Sequence, residues 1–552
     1  MTWKLVIIAV SIRVLVALTT QTFFQPDEYY QSLEVAHRLV FGYGHITWEW
    51  LTQQPIRSIV YPILNVPVYL ALKQLRLDNT RLLIWGPKVL HGVLASLTDI
   101  YICKLTRRVA GERYVLIAFW LSLTSLFHGL SLSRSLSNSL ETSLTTMALS
   151  LYPWDARAAS WRRDYVNSLT VAALACAVRP TNVILWVYML GTTAWRLRRQ
   201  PKALFVMVIA TFLVGVGAIT LLCAVDSWYY GSLTLTPLNF AITNLSSVSL
   251  FYGSSAWHYY LTQGIPILCG SVTPFALQAI YKYSRHQNQN QNHVRRMTGL
   301  VVWTVLIYSL AGHKEWRFIH PLLPLFHILA TISLIDSHDI LGRRAVSRST
   351  TASKASLLPK TRGSYWLVFV LNLPPLLYLM LLHSKAQIDV MYYLRSLNAD
   401  DIRSIGFLMP CHSTPWQAYL HQASLTDSGR LWALGCEPPV GVKAEGYRDQ
   451  TDVFYESPVE YIRERFPPSV DPRFPASPKP FTVPGRPPPE RYDWKHEWPQ
   501  YLVMFGALLN EQEISNYLSD RGYRQVWHEE RGWEGDRRRQ GGVTVLKFHS
   551  HE

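Results

Sequence analysis

Two adjacent carboxylates, Asp27 and Glu28, follow directly after the first apolar segment of the chain, residues 5–20. Pro26 restricts the backbone in front of them, so the pair precedes the start of a new helix. Acidic residues in a first helical turn interact favourably with the helix dipole, which is one structural explanation for their position. A hydroxyl that attacks an activated carbon needs a single carboxylate as its base, so the pair is also a candidate for general base catalysis.

A second group of chemically capable residues lies between two long apolar runs near the middle of the chain. Four of the five residues from His313 to Arg317 are titratable. Ionisable residues at membrane depth are costly and are therefore functional candidates. Anchoring at the membrane interface explains Lys314 and Trp316, but it does not explain a histidine, a glutamate and a second cation beside them. Closely spaced cations of this kind are suited to binding phosphate.

The composition separates two unlike parts of the 552-residue chain. Charged residues make up 16% of it and hydrophobic residues 49%, whereas soluble domains carry about 25% charged residues. Apolar runs alternate with short basic loops in residues 1–383, while residues 384–552 are polar and rich in Pro, Arg and Glu. We therefore predict a polytopic membrane domain, 1–383, followed by a soluble domain, 384–552. The net charge of +16 is better explained by basic loops that orient membrane helices than by nucleic-acid binding.

The basic loops predict how the chain crosses the membrane. The apolar runs are 5–20, 58–77, 84–105, 114–132, 136–152, 165–178, 181–195, 203–225, 257–282, 298–311, 318–336 and 364–383. The strongest basic loops, which the positive-inside rule places in the cytosol, are 107–113, 162–163, 196–199, 295–296 and 343–360. If the N-terminus is cytosolic and Asp27 lies on the far side, all of these loops are cytosolic only if run 58–77, which contains Pro62 and Pro67, is re-entrant or interfacial. Eleven crossings then remain, and residues 384–552 share the side of Asp27.

Further polar residues fall on the side of Asp27 in this topology. The sequon Asn244-Leu245-Ser246 lies in a loop there, so we expect Asn244 to be available for glycosylation. Arg57, Arg134 and Arg179 also lie at that surface. The same side of the membrane thus collects candidate bases and candidate cations.

The motifs on this side resemble a known family. The stretch His313-Lys314-Glu315-Trp316-Arg317-Phe318, together with Pro26-Asp27-Glu28 and the loop stretches 226–231 and 237–239, is similar to the signature of the family 22 glycosyltransferases. This resemblance implies the GT-C fold: a polytopic α-helical membrane protein with about eleven transmembrane helices, a re-entrant or interfacial helix and a C-terminal luminal α/β domain. It also implies mannose transfer from dolichyl-phosphate mannose in the lumen of the endoplasmic reticulum.

The resemblance also suggests roles for individual residues. The family pattern places its base at Asp27, with Glu28 as the alternative. Cations are needed for the departing phosphate, and the candidates are Arg317, Lys314 and Arg179, with Arg57 and Arg134 behind them. His313 and Glu315 are expected to orient their neighbours or the sugar. No Asp-x-Asp motif and no Cys/His cluster occurs in the sequence, so we expect no metal and no cofactor other than the donor substrate.

Two motifs in the C-terminal domain, residues 409–415 and 451–455, resemble the branch of the family that acts on glycosylphosphatidylinositol (GPI) precursors. That branch adds the third mannose of the GPI core in α1,2 linkage, so the expected partners are dolichyl-phosphate mannose and a GPI glycolipid, within membrane lipid. Two alternatives remain: a mannosyltransferase of the same family that acts on N-glycan precursors, and a polytopic lipid transporter. A transporter is expected to show internal repeats, and none is evident.

Local patterns also predict structure inside the C-terminal domain. Strands are expected at 405–409, 501–505 and 543–548, and helices at 414–420 and 511–519. Cys411 and Cys436 are the cysteines of this domain, and an oxidising lumen would allow them to form a disulfide.

Overall fold

The computed structural model describes residues 3–155, 160–246, 248–285, 292–345, 366–426, 429–440, 446–486 and 492–550, with the backbone alone at 285 and 338–345. Most of the basic stretch 343–360 therefore lies outside the described residues. The chain forms two compact units. The first comprises Met1–Leu18, Lys88–Leu235 and Gly253–Leu377, and the second comprises Thr19–Pro87, Thr236–Tyr252 and Tyr378–Glu552.

The first unit is helical. Its helices are Trp3–Thr19, Val115–Leu123, Leu126–Ser131, Ser137–Leu151, Trp161–Val178, Val183–Leu197, Pro201–Tyr230, Ile265–Cys269, Thr273–Arg285, Asn292–Ser309, Leu323–Ala345 and Trp366–Val370. Three of the described helices contribute residues to both units: Trp3–Thr19, Leu82–Val109 and Leu373–Leu381. A π-helical turn, Tyr260–Gly264, and a 3₁₀ turn, Trp316–Leu322, precede two of the helices.

Within the described residues, five helical segments are long and apolar enough to cross a membrane. They are Leu82–Val109, Pro201–Tyr230, Tyr260–Ser284, Trp316–Ser337 and Trp366–Ser396. The segment Pro201–Tyr230 buries only Met207, Leu222 and Asp226, which is typical of a helix that faces lipid. The chain is therefore a multi-pass membrane protein, while the expected number of eleven crossings stays a prediction.

Two predicted apolar runs are divided into shorter elements. Run 114–132 breaks at Ser125, whose hydroxyl accepts a hydrogen bond from the backbone N–H of His128 and begins a new helix. Run 58–77 forms a short turn followed by the helix Val66–Gln74. Nine helical residues extend about 14 Å, less than half of the roughly 30 Å hydrocarbon core. This length agrees with a segment that does not cross the membrane.

The second unit contains helices and one five-stranded sheet. Its helices are Glu34–Phe41, Trp48–Leu51, Val66–Gln74, Thr236–Leu245, Val248–Phe251, Ala386–Ser396, Gln417–Leu420, Gln450–Glu456, Pro458–Arg465, Gly506–Leu509 and Gln512–Asp520. The strands are β1 (Ile405–Leu408), β2 (Leu431–Ala433), β3 (Tyr501–Phe505), β4 (Tyr523–Glu529) and β5 (Val543–Phe548). Their order is β2-β1-β3-β5-β4; β1 is parallel to β2 and β3, and β5 is antiparallel to β3 and β4.

Both faces of this sheet are covered, because alternate residues of the central strands enter two different cores. Phe407, Val503 and Val545 belong to one core, which also includes the aromatic residues Tyr29 and Tyr30. Side chains between them on the strands pack in the other core, around buried tryptophans. The segment that carries Asp27 is thus packed against the C-terminal sheet within one unit.

Candidate functional site

The backbone after Pro26 turns sharply into a helix. The carbonyl oxygen of Pro26 accepts hydrogen bonds from the N–H groups of Tyr29 and Tyr30, both at 3.0 Å. A π-helical turn, Tyr29–Leu33, follows and continues into the helix Glu34–Phe41. Asp27 is half-buried, whereas Glu28 is only 5% exposed. Of the two adjacent carboxylates, Asp27 is therefore the one that a substrate can reach.

The motif 409–415 of the C-terminal domain lies beside this turn. The ring of His412 is 4.3 Å from that of Tyr30, and the Tyr30 hydroxyl donates a hydrogen bond to the carbonyl of Thr414 at 3.0 Å. Burial lowers the pKa of His412 to about 4, and the negative charge of Asp27 acts in the opposite direction. His412 is thus close enough to Asp27 to feel its charge, and it is a neutral neighbour at physiological pH.

Glu34 ties the helix that follows Asp27 to the C-terminal domain. Its carboxyl is completely buried and accepts hydrogen bonds from the N–H groups of Ala418, at 2.5 Å, and His45, at 3.2 Å. Burial raises the pKa of Glu34 to about 8, although both hydrogen bonds act against the rise. This carboxyl holds backbone in place and is not positioned as a second base.

Arg57 also lies in the second unit and is paired with a carboxylate. Its Nε and Nη2 atoms donate to the same oxygen of Glu49, at 2.9 and 2.6 Å. The side-chain amide of Gln31 contacts that oxygen at 3.4 Å. Arg57 thus stabilises the segment around Glu49, and a role toward phosphate stays a prediction.

The motif His313–Phe318 in the first unit forms a charged network of its own. Arg317 donates from Nε and Nη2 to the two oxygens of Glu315, at 2.5 and 2.9 Å. His313 contacts the Glu315 carboxylate through Nε2, at 3.2 Å, and the Gly253 carbonyl through Nδ1, at 2.9 Å. Since both ring nitrogens face acceptors, the protonated form fits this position. The orienting role expected for His313 and Glu315 agrees with this arrangement.

The pKa shifts in this network follow from the ion pair. Burial disfavours the charged form of Glu315, but the Arg317 guanidinium and the hydrogen bonds from His313 and Arg317 outweigh it and lower the pKa of Glu315 to about 2. The hydrogen bond to Glu315 raises the pKa of His313, against the effect of burial. Glu315 is consequently ionised at all physiological pH values and fixes the direction of the Arg317 guanidinium.

Arg179 belongs to the same site as Arg317. The guanidinium carbons of Arg179 and Arg317 lie 5.5 and 5.9 Å from the centre of the Phe318 ring. Arg179 forms an ion pair with Glu141 at 3.3 Å and donates to the Ser137 hydroxyl at 3.0 Å. The structure thus brings two of the predicted phosphate cations to one aromatic ring and supplies each with a carboxylate.

Glu141 was missed by the sequence analysis. It is completely buried, and the side-chain amide of Asn182 donates to it at 2.9 Å. The sequence could have identified Glu141, because this residue interrupts the apolar run 136–152 and an ionisable residue in such a run is a functional candidate. Its role is to position Arg179.

The other two predicted cations are bonded to backbone in the first unit. The Lys314 ammonium donates to the carbonyl of Ser255 at 2.8 Å, and Ser255 in turn donates to Gly312 at 3.0 Å. Arg134 is 4% exposed and donates from Nε to the carbonyl of Leu130 at 2.8 Å. These contacts give both cations a structural role, whereas binding of phosphate by either stays a prediction.

Cys411 and Cys436 form a disulfide, with their Cα atoms 5.8 Å apart. Together with His412, these cysteines are the only compact group of potential metal ligands in the described part of the chain. Sulfur atoms in a disulfide are not thiolates, so this group is not a metal site. Asn244, near the end of the helix Thr236–Leu245, has an exposed side chain.

The sequence and the fold both resemble known proteins. The family model for the Alg9-like mannosyltransferase family matches residues 4–421. "GPI mannosyltransferase 3" of Yarrowia lipolytica is 34% identical over 99% of this chain and 97% of its own length. "GPI alpha-1,2-mannosyltransferase 3" of Homo sapiens is 32% identical over 95% of this chain and 83% of its own length.

A solved structure shares the fold at low sequence identity. ArnT from Cupriavidus metallidurans, bound to undecaprenyl phosphate, aligns with a TM-score of 0.54 and 12% identity over 98% of this chain and 97% of its own. At this identity the likeness shows the fold alone, which is the GT-C fold of membrane glycosyltransferases. The chain therefore belongs to the Alg9-like mannosyltransferase family and is a multi-pass membrane glycosyltransferase.

Proposed function

We propose that this enzyme transfers mannose from dolichyl-phosphate mannose to the second mannose of a GPI precursor, in α1,2 linkage and with inversion at the anomeric carbon. The observation that carries the proposal is the similarity to relatives named for the third GPI mannosylation step, which extends through the C-terminal domain. The motif 409–415, which resembles the GPI branch, supports it further because its His412 contacts Tyr30, three residues after Asp27, and senses the charge of Asp27.

In the proposed mechanism, Asp27 acts as the base. The acceptor 2-hydroxyl gives its proton to the Asp27 carboxylate as its oxygen forms a bond to C1 of the donor mannose. The bond between C1 and the phosphate oxygen breaks, and its electron pair leaves with dolichyl phosphate. One carboxylate is sufficient for this single displacement, and Asp27 is more accessible than its buried neighbour Glu28.

The leaving phosphate gains negative charge, and the arginines of the first unit are suited to stabilise it. Arg179 and Arg317 both lie next to Phe318, and Glu141 and Glu315 fix their orientations. Donors that are oriented in advance stabilise developing charge without reorganisation during the reaction. We assign the phosphate to these two guanidinium groups before Lys314, whose ammonium is bonded to backbone.

The same proposal includes a location. We place the active site and residues 384–552 in the lumen of the endoplasmic reticulum, because the basic loops then face the cytosol. Asn244 is exposed, as a luminal glycosylation site must be. In sealed microsomes, a C-terminal tag should be protected from added protease until detergent is present. Digestion without detergent would contradict the luminal orientation.

The function is tested by transfer with purified enzyme. Radiolabelled dolichyl-phosphate mannose is offered with a GPI precursor that carries two mannoses, and in parallel with an N-glycan precursor. We expect one mannose to be added to the GPI acceptor, removable by an α1,2-specific mannosidase, and none to the N-glycan precursor. Transfer to the N-glycan precursor alone would overturn the proposal.

A further inference from the structure

A small cavity in the second unit lies next to the candidate base. Its volume is about 30 Å³, and it is partly open. Five of the side chains around it are aromatic rings and one is a carboxyl: Tyr30, His45, His412, Trp416, Phe481 and Glu437. Tyr30 is three residues beyond Asp27 along a helical turn, and His412 feels the charge of Asp27. The lining of the cavity thus includes a residue of the turn that carries Asp27 and a residue that senses its charge.

The disulfide holds the polar residues of this cavity in place. His412 directly follows Cys411, and Glu437 directly follows Cys436, so the covalent bond fixes the two chain segments that carry them. The Nδ1 atom of His412 is 3.5 Å from the sulfur of Cys436. The hydroxyl of Tyr447 donates to the backbone carbonyl of Glu437 at 2.6 Å. The cavity is therefore a rigid feature of the domain.

Glu437, which lines this cavity, has a side-chain hydrogen-bonding atom that is not in use. Glu437 is 7% exposed, and its Oε2 atom has no hydrogen-bond partner among the described residues. Burial, together with the charges of Glu49 and Asp449, raises the pKa of Glu437 to about 8. A buried polar atom without a partner is costly, so a ligand that supplies one would be bound favourably.

The size and lining of the cavity restrict what it can hold. A water-sized group needs about 10–15 Å³, so the cavity has room for roughly two such groups and not for a whole sugar ring. The faces of aromatic rings pack well against C–H groups, while the carboxyl atom without a partner can bond to a hydroxyl. A hydroxymethyl group, with one carbon and one oxygen, meets both requirements.

We propose that this cavity binds the 6-hydroxymethyl group of the terminal acceptor mannose, with Glu437 as the hydrogen-bond partner of its hydroxyl. The inference rests on the proposed function, since it assigns part of the acceptor in that reaction. It gives the C-terminal domain a role in acceptor recognition. The disulfide Cys411–Cys436 then serves to preorganise this recognition.

The test compares two acceptors, the two-mannose GPI precursor and its analogue that lacks the terminal 6-hydroxyl, with the parent enzyme and Glu437→Ala. For the parent, we expect the acceptor KM to rise by about tenfold or more with the 6-deoxy acceptor, while the donor KM is unchanged. Glu437→Ala should show the same raised acceptor KM with the natural acceptor and little further change with the analogue. Such non-additivity is the mark of two groups that contact each other.

Two further variants keep the result interpretable. Tyr523→Phe removes a buried hydroxyl of the same domain that bonds to the Pro499 carbonyl and does not line the cavity, so this variant should discriminate between the acceptors as the parent does. Glu437→Gln is the substitute if Glu437→Ala proves unstable. It retains the shape and a hydrogen-bonding group, and it should bind the natural acceptor nearly as well as the parent.

The inference is overturned if the parent enzyme uses both acceptors equally well. It is also overturned if Glu437→Ala shows the same ratio of KM values between the 6-deoxy and the natural acceptor as the parent enzyme does. Either result leaves the proposed function standing, whereas an absence of any transfer to the natural acceptor by the parent refutes the proposed function itself.

Discussion

Two arginine–carboxylate pairs in the first unit have the same bidentate geometry in different surroundings. Arg13 donates from Nε and Nη2 to the two oxygens of Asp99, at 2.6 and 2.8 Å, and both side chains are completely buried. Arg317 binds Glu315 in the same way, but its side chain is 11% exposed and that of Glu315 is 25% exposed. The difference between the pairs therefore lies in accessibility.

The surroundings indicate what each pair does. The Arg13–Asp99 pair is enclosed by protein: Arg13 also donates to the Ser122 carbonyl at 2.9 Å, and the Ser122 hydroxyl donates to Asp99 at 2.7 Å. No substrate can reach it, so its role is in the fold. The Arg317–Glu315 pair shares the Phe318 ring with Arg179 and remains accessible. The same ion-pair geometry thus stabilises the fold in the buried Arg13–Asp99 pair, and it is available for binding in the accessible Arg317–Glu315 pair.

The largest effect is expected from breaking the sealed pair. Asp99→Asn leaves the Arg13 guanidinium buried without a countercharge, which typically costs about 3–5 kcal/mol. We expect little folded enzyme after purification in detergent, and a thermal midpoint well below that of the parent. As a control, Arg13→Met combined with Asp99→Leu removes both charges and should recover much of the yield. A normal yield and midpoint for Asp99→Asn would show that this pair does not support the fold.

A smaller effect, on rate alone, is expected at the open pair. Arg317→Lys keeps the positive charge but cannot donate two parallel hydrogen bonds to Glu315, nor present a planar group to phosphate. Loss of one charge-assisted hydrogen bond, about 1.5–3 kcal/mol, should lower kcat by roughly ten- to a hundredfold with near-normal yield.

Lys314→Arg is the matched control for this measurement. It keeps a cation that can bond to the Ser255 carbonyl, so its kcat should remain within about threefold of the parent. A parent-like kcat for Arg317→Lys at normal yield would remove Arg317 from the phosphate site. Arg179 and Lys314 would then be the remaining candidates.

The smallest expected effect is a dependence of the transfer rate on pH that arises from the protonation of His313. Because the pKa of His313 is raised, its interaction with Glu315 is complete below the ordinary histidine pKa of about 6.5 and is lost as pH rises through the raised value. Glu315, with a pKa of about 2, stays ionised throughout. As pH rises from about 6.5 through the raised pKa of His313, the rate of the parent relative to that of His313→Gln should fall by about two- to fivefold. A ratio that is constant with pH would contradict this role of His313.

Much of the C-terminal sheet could be predicted from sequence, because its central strands are continuous apolar runs. β3 and β5 occupy the predicted residues, β1 ends one residue earlier, and the helix Gln512–Asp520 lies one residue from its expected position. β2 was missed because three residues give no periodicity, and β4 because it is a largely exposed edge strand with polar side chains. The helix expected at 414–420 is limited to Gln417–Leu420.

The candidate site could be predicted only as separate motifs. Sequence identified Asp27 and the stretch from His313 to Arg317, since charges next to apolar runs stand out. It could not show that Arg317 and Arg179 share the Phe318 ring, because that contact joins residues 138 positions apart or more. Glu437 lies in a polar domain where a glutamate is unremarkable by sequence, and only its burial next to the cavity distinguishes it.

The central claim, that Asp27 is the base of a mannosyl transfer, is tested most directly by the kcat of Asp27→Asn in the transfer assay. The change keeps size and hydrogen-bonding atoms while removing basicity, so yield and donor KM should hold. We expect kcat to fall by about 10²–10⁴-fold, as is typical for the loss of a general base, whereas Glu28→Gln should retain more turnover. A kcat for Asp27→Asn within about tenfold of the parent would contradict the claim.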